Sequence, residues 1–359
     1  LWAALARTGR VAHIPRLLVS VQAEELAEPP AAEAAAPAAL TPLLRHPWVA
    51  GATPAEAGEA RLTVIVPTRN GDPLLRGALA SLREKAAQPE QLELLVVDNG
   101  SDDPLTLAFL SIEAARGAAT VMRVDEPFNW ARLNNLAAER AGGELLLFLN
   151  DDTRMLTPGW DRELRLLLAQ PEVGAVGARL AYEDLTLQHA GVVFGAERLA
   201  AHEGVGQPMQ APGPEGRWQI MRACGGVTGA FLACRREAFE QVGRFDEHAF
   251  GVTFNDVDFC LRLRAAGLVV LYAPQIALIH FESKSRGLDD LDARKKERAE
   301  FEARKLLERW SDAVLLDPGF NPYWSRWTRP FTALREPSPM EVEAHLAACA
   351  AADPWRPVP

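Results

Sequence analysis

The feature that most constrains the fold is a repeated pattern, in which a short apolar run stops on a polar cluster and a stretch of helical spacing follows. RLTVIVP (61–67) is β-branched and closed by Pro67, LELLVVDNGS (92–101) runs into Asp98-Asn99, and ELLLFLNDD (144–152) stops on Asn150-Asp151-Asp152. Continuous apolar runs of this length read as strands buried on both faces. Between them, PLLRGALASLREKA (73–86) and WARLNNLAAERAGG (130–143) place apolar residues at helical spacing, the second expected to be capped by glycine. Strand–helix–strand repetition implies an α/β fold with a mainly parallel central sheet flanked by helices. Ligands of such sheets bind beyond the carboxyl ends of the strands. All three strands deliver polar groups there: Thr68-Arg69-Asn70, Asp98-Asn99 and Asn150-Asp151-Asp152.

Composition narrows the function classes. The net charge of −10 argues against nucleic acid as the main partner, because phosphate binding needs a basic surface. No apolar stretch reaches ~18 residues, so no transmembrane helix is expected. The four cysteines (Cys224, Cys234, Cys260, Cys349) show neither CxxC pairing nor metal-ligand spacing and read as free thiols. The chain begins at Leu1 without a signal-like pattern and is read as a piece of a longer polypeptide.

Asp151 and Asp152 pose a physical problem, since adjacent carboxylates at the end of a buried strand repel each other and lose hydration. A divalent cation between them and a ligand's phosphates would compensate, and Mg²⁺ or Mn²⁺ suits such oxygen donors. Asn-Asp-Asp-Thr is equally good chemistry for a solvated turn before the helix expected around 158–169.

The order of TVIVPTRNGDPLLRGALASL, LLVVDNGSDDP, FNWARLNNLAAERAGGELLLFLNDD, GGVTGAFLACRREAFEQVGRFDE, FNDVDFCLRLRAAG and LIHFESKSRG resembles that of family 2 glycosyltransferases, over roughly two-thirds of the chain. The resemblance implies a GT-A fold and inverting transfer from a nucleotide sugar, of the bacterial polysaccharide and O-antigen rhamnosyltransferase kind. It further implies nucleotide binding by Pro67, Thr68, Arg69 and Asp98, with the family's DxD motif falling on Asn150-Asp151-Asp152. Asp152 is then the direct metal ligand, joined by His280 of ALIHFESKSRG, with Mn²⁺ or Mg²⁺ as cofactor. The catalytic base falls on Asp256 of FNDVDFCLRLRAAG. Asn150 and Asn255 stand where the family often has acids, which leaves the site less charged than usual. Asp258, two residues on, should face elsewhere on the helix.

Other assignments are open to a packing role as well. Lys284 and Arg286 are candidates for the diphosphate, and His189 of QHAGVVFG for the acceptor side. The glycines of CGGVTGAF, Gly226 among them, would let a sugar approach the backbone before a helix-like AFLACRREAFEQVG. Trp160 and Trp218 would stack on an acceptor sugar or pack in the core.

The expected organisation is an N-terminal segment (1–25), an Ala/Pro-rich linker (26–60), a GT-A domain (61–287) and a C-terminal helical extension with its tail (288–359), including a charged helix over 289–310. HIPRLLVSVQ (13–22) resembles the end of a preceding copy, as in tandem proteins of this kind. The implied partners are a UDP- or dTDP-sugar and a glycan or lipid-linked glycan acceptor, met in the cytoplasm at the inner face of the membrane, with peripheral membrane contact. Two other classes remain. A non-catalytic sugar-binding domain would explain Asn150 and Asn255. A nucleotidyltransferase would want a glycine-rich, basic phosphate loop, and VPTRNGDPLLR has one glycine.

Overall fold

The three apolar runs do form adjacent strands, and their alternation builds two cores. A computed structural model describes residues 60–197, 199–282 and 293–349. The expected N-terminal segment, nearly all of the linker, the 287/288 boundary, Lys284 and Arg286 therefore lie outside the described residues. In β1 (Leu62–Thr68) every residue is buried. Leu62, Val64 and Val66 join the core on one face of the sheet and Ile65 the core on the other. Then follow α1 (Leu74–Lys85), β2 (Leu92–Asp98), α2 (Pro104–Ala115), β3 (Thr120–Arg123), α3 (Trp130–Arg140), β4 (Leu145–Leu149), β5 (Thr153–Met155), α4 (Trp160–Leu168) and β6 (Val173–Ala181).

Four short strands follow: β7 (Leu187–His189), β8 (Val192–Phe194), β9 (Ala200–His202) and β10 (Arg222–Ala223). The chain returns through β11 (Phe231–Arg235), α5 (Arg236–Gln241), α6 (Asn255–Ala265), β12 (Val269–His280), α7 (Ala293–Trp310) and α8 (Pro339–Cys349). The sheet runs β10-β12-β6-β11-β4-β1-β2-β3, with β5 added on β12 and β7 on β6, while β8 and β9 form a separate pair. The pairs β4–β1, β1–β2, β2–β3 and β12–β6 are parallel, and β11 lies antiparallel to both β4 and β6.

Two local expectations are corrected. FLACR is a strand rather than the start of a helix, because it slots between two buried strands and both its faces are covered. The glycines after α3 do not cap it, since the helix ends on an extended Ala141 (φ −60°, ψ 136°). Gly143 serves close packing instead: a Cβ there would lie 2.7 Å from the Arg61 carbonyl and the Thr63 nitrogen.

Aromatic packing fixes α3 and α5 against the sheet. Phe148 of β4 lies 4.8 Å from Phe245 and 5.1 Å from Phe239, ring centre to centre. Removing so buried a ring costs about 3–5 kcal/mol. The charged helix is more than a solvated face. Leu306 and Trp310 of α7 pack with Phe194 of β8 and with Val257 and Leu261 of α6. Trp310 Nε1, Arg309 and Arg262 all bond Asp258, which is fully buried on the side of α6 that faces α7. The cysteines are unpaired. Among the described residues no helix is long and apolar enough to cross a membrane.

Candidate active site

One cleft of about 720 Å³ opens at the carboxyl edge of the sheet. From the parallel strands it receives Pro67, Thr68 and Arg69 after β1, Asn99 after β2, and Asn150, Asp151 and Asp152 after β4. His280 enters from the end of β12, where it pairs in register with Thr153 of β5. The antiparallel β11 has its starting end here, so Thr228, Gly229 and Ala230 reach the cleft from the opposite direction. Asn255 and Asp256 complete it at the first turn of α6.

The acid pair is built tightly. Thr68 Oγ1 donates to Asp151 Oδ2 at 2.6 Å, tying β1 to β4. A Cβ on Gly71 would stand 2.3 Å from that Thr68 oxygen and 2.6 Å from Asp151 Oδ2, so only glycine lets the loop pass. Asp151 is buried, and burial pushes its carboxyl up to about 7, with the Asp152 charge adding to the effect against the Thr68 bond and His280. Asp152 is 3% exposed, and its Oδ1 accepts no hydrogen bond. His280 Nε2 lies 3.1 Å from that oxygen. No group of three His, Cys, Asp or Glu among the described residues forms a ready-made metal cage. A buried carboxylate oxygen without a donor, facing an imidazole, still fits a divalent cation that takes its other ligands from a phosphate.

Both asparagines that replace acids are engaged. Asn150 Oδ1 receives Trp130 Nε1 at 3.4 Å, and its Nδ2 lies 3.2 Å from His280 Nε2. Asn255 Nδ2 donates to the Val252 carbonyl. Across the cleft, Asp256 is held by two main-chain donors, Gly229 N–H on Oδ2 and Val257 N–H on Oδ1, both at 2.8 Å.

The structure thus brings Pro67, Thr68, Arg69, Asn150, Asp151, Asp152, Asp256 and His280 together, and sets the other expected residues apart. Asp98 stands behind the cleft, both oxygens engaged by Ser101 N–H and Arg123 Nη1 at 2.9 Å each. Trp160 is fully buried in α4 and its indole N–H bonds the Leu82 carbonyl, so it is a packing residue. Trp218 packs likewise, donating to Glu203. Gly226 is also outside the cleft, where its carbonyl receives Val192 N–H; the glycine at the site is Gly229. His189 lies beneath the cleft, its ring centre 4.6 Å from that of His202. Burial, then His202 and nearby positive groups, holds its imidazole well below the usual range.

The sequence named Asn99 only as a polar neighbour at a strand end, and it did not single out Gln188 or His202. Asn99 is 3% exposed, its Nδ2 donates to the Val124 and Glu126 carbonyls, and its Oδ1 has no partner. It was visible only as the neighbour of Asp98. Gln188 and His202 come from the short-strand segment, which carries no strong period.

The sheet is mixed rather than mainly parallel as expected, because β5, β7, β10 and β11 all pair antiparallel; with the cleft at the carboxyl edge of its parallel strands, it is the GT-A glycosyltransferase fold. A solved structure of GalNAc-T7 with UDP, GalNAc and Mn²⁺ matches 71% of the chain and 49% of that chain at a TM-score of 0.54 and 14% identity. The mannosyltransferase PcManGT of Pyrobaculum calidifontis, solved with GDP-Man and Mn²⁺, matches 88% and 81% at 0.54 and 20% identity. The chain belongs to glycosyl transferase family 2, whose model matches residues 63–243.

Among curated relatives, the O-antigen biosynthesis protein RfbC of Myxococcus xanthus is 39% identical over 264 residues, 72% of this chain and 20% of that protein. Protein y4gI of Sinorhizobium fredii is 37% identical over 266 residues, 74% of this chain and 29% of that protein. The chain therefore spans less than a third of either relative. The N-acetylglucosaminyl-diphospho-decaprenol L-rhamnosyltransferase of Mycobacterium tuberculosis is 26% identical over 253 residues, 64% of this chain and 78% of that protein.

Proposed function

We propose that the chain is an inverting, divalent-metal-dependent glycosyltransferase unit that moves a sugar from a UDP- or dTDP-linked donor to a glycan or lipid-linked glycan acceptor. Its place is cell-envelope polysaccharide synthesis, at the cytoplasmic face of the membrane. The observation that carries this reading is the opposition, across one cleft, of Asp152 and His280 to a separately held carboxylate, Asp256.

The roles follow from chemistry. Asn99 presents a fixed acceptor, because its amide N–H₂ is committed to two carbonyls. It suits the imide N–H of uracil or thymine, the task Asp98 cannot perform while Arg123 and Ser101 hold it. Pro67, Thr68 and Arg69 flank the same end of the cleft. Asp152 and His280 would hold Mn²⁺ or Mg²⁺, which neutralises charge building on the leaving nucleoside diphosphate. Asp256 takes the proton of the acceptor hydroxyl as that oxygen attacks the anomeric carbon from the face opposite the leaving group. Its two main-chain donors hold the carboxylate in place. Asn150 and Asn255 have structural partners of their own, so the missing acids do not argue for a domain that has lost its chemistry.

The test is calorimetric titration of UDP, dTDP and GDP, with Mn²⁺ and with EDTA, followed by donor turnover with sugars on the nucleotide that binds. A pyrimidine diphosphate that binds only with metal is expected. Binding of none of the three would overturn the reading.

A further inference from the structure

Gln188 lies at the end of a chain of side chains that reaches the cleft, and the mechanism above gives it no task. It is 4% exposed, in β7. Its Nε2 donates to Glu282 Oε2 at 3.1 Å. A carboxylate only accepts, so this bond fixes which way the amide points. Gln188 Oε1 consequently faces His280, 2.7 Å from Nδ1. An amide oxygen also only accepts, so Nδ1 must carry the hydrogen. The neutral ring then keeps an unprotonated Nε2, the nitrogen that lies 3.1 Å from Asp152 Oδ1. The Asn150 amide Nδ2, 3.2 Å from the same Nε2, is a donor and agrees with this assignment, whereas Asp152 Oδ1 opposite has no donor and is left to a positive charge.

We propose that Gln188, oriented by Glu282, is a positioning residue that locks His280 as the Nδ1–H tautomer and so aims its Nε2 lone pair at the cation site. The inference rests on the metal-dependent reading above. It adds that two residues from separate elements, β7 and the segment after β12, make the imidazole a ligand rather than a donor. Outer partners of this kind typically change metal affinity by about 10–100-fold. The same residue bears on a second imidazole through its backbone: the Gln188 carbonyl lies 3.3 Å from His202 Nδ1. That contact survives any substitution of the side chain, so His202 serves as an internal control.

The experiment uses the full chain, uniformly ¹⁵N-labelled and metal-free at about pH 8, where an ordinary imidazole is neutral. Long-range ¹H–¹⁵N correlation reads the tautomer of each histidine, and free Mn²⁺ is titrated by electron paramagnetic resonance. Wild type should show His280 as Nδ1–H. Gln188→Leu should give His280 a substantial Nε2–H population, leave His202 unchanged and weaken Mn²⁺ binding about 10–100-fold. Gln188→Glu, which keeps an acceptor, should retain the wild-type tautomer. Glu282→Ala, altering an exposed residue at the rim and so safe for folding, should give a mixture, because the amide is then free to flip. A His280 that stays Nδ1–H in both Gln188→Leu and Glu282→Ala overturns the proposal. So does a tautomer change with Mn²⁺ affinity unaltered. If wild type binds no Mn²⁺, the metal reading itself fails, while the metal-free tautomer data still test the lock on His280 separately.

Discussion

Glu302 on α7 and Thr253, three residues before Asp256, are joined twice: Glu302 Oε2 accepts the Thr253 main-chain N–H at 2.6 Å and also its hydroxyl. The other carboxylate oxygen takes the Val252 N–H. Phe254, next in line, holds a left-handed φ of +58, which costs a bulky residue on the order of 1–3 kcal/mol. Helix α7 therefore braces the turn that presents the proposed base. Glu302→Ala should lower kcat roughly 10–100-fold through misplacement of Asp256. Nucleotide affinity, read by calorimetry, should stay close to wild type. A parallel loss of both would show that Glu302 supports the whole cleft rather than its acceptor side.

Asp256→Asn keeps an acceptor for Gly229 N–H and preserves size, so the fold and donor binding should survive. Transfer, followed by nucleoside diphosphate release, should fall about 10²–10⁴-fold. If nucleotide binding is what disappears, Asp256 belongs to the donor site.

Asp152→Ala should abolish the metal dependence of nucleotide affinity, leaving titrations with Mn²⁺ and with EDTA alike. Metal-dependent binding that persists in this variant would remove Asp152 from the ligand set.

Asn99 makes a prediction about the base. A donor analogue methylated at the pyrimidine N3 loses the hydrogen that Asn99 Oδ1 would accept. Wild type should bind it about 10-fold or more weakly than UDP, the cost of an unmet buried acceptor. Asn99→Ala should bind both nucleotides equally. Full discrimination in the variant would place the base elsewhere.

Asp161 predicts a pH effect on stability. Burial alone would raise its carboxyl, but the Ala87 and Gln88 N–H groups and the Arg165 guanidinium outweigh burial and hold it below the usual range. A depressed native value stabilises above the unfolded value of ~3.9 and is lost as pH falls through the native one. Thermal unfolding should show the wild-type Tm dropping below about pH 4. Asp161→Asn strands a buried Arg165, so it should be about 3–5 kcal/mol less stable at neutral pH and respond less to acid. Equal acid slopes would count against this account.

The strands whose ends form one wall of the cleft were legible because continuous apolar runs have few other uses. Their polar ends were legible too, down to Thr68 and Asp152. What the sequence could not resolve was direction. Asp98 and Asn99 are neighbours at a strand end, and alternation sends one behind the cleft and one into it without saying which. β11 was hidden because a strand buried on both faces, running into Arg235-Arg236, has no period to separate it from a helix. Gln188 and His202 sit on three-residue strands, too short for any pattern, and only tertiary pairing brings them to the site. Trp160 misled because an aromatic residue near an acid pair reads equally well as a platform or as core.

The position of β11 has a consequence for diversification. β6 and β11 are paired neighbours, Leu232 opposite Gly177, so the excursion through residues 182–230 leaves and re-enters the sheet one strand spacing apart, about 4.8 Å. Apart from β7 and β10, which pair with β6 and β12, and Gly229, which holds Asp256, such a segment is a cassette: its loops can change length while the register of the sheet that carries Asp151 and Asp152 stays put. Exchange of those loops between relatives would alter one wall of the cleft while Asp151 and Asp152 stay in place. Any exchange that includes β7 must also carry a residue able to do for His280 what Gln188 does here.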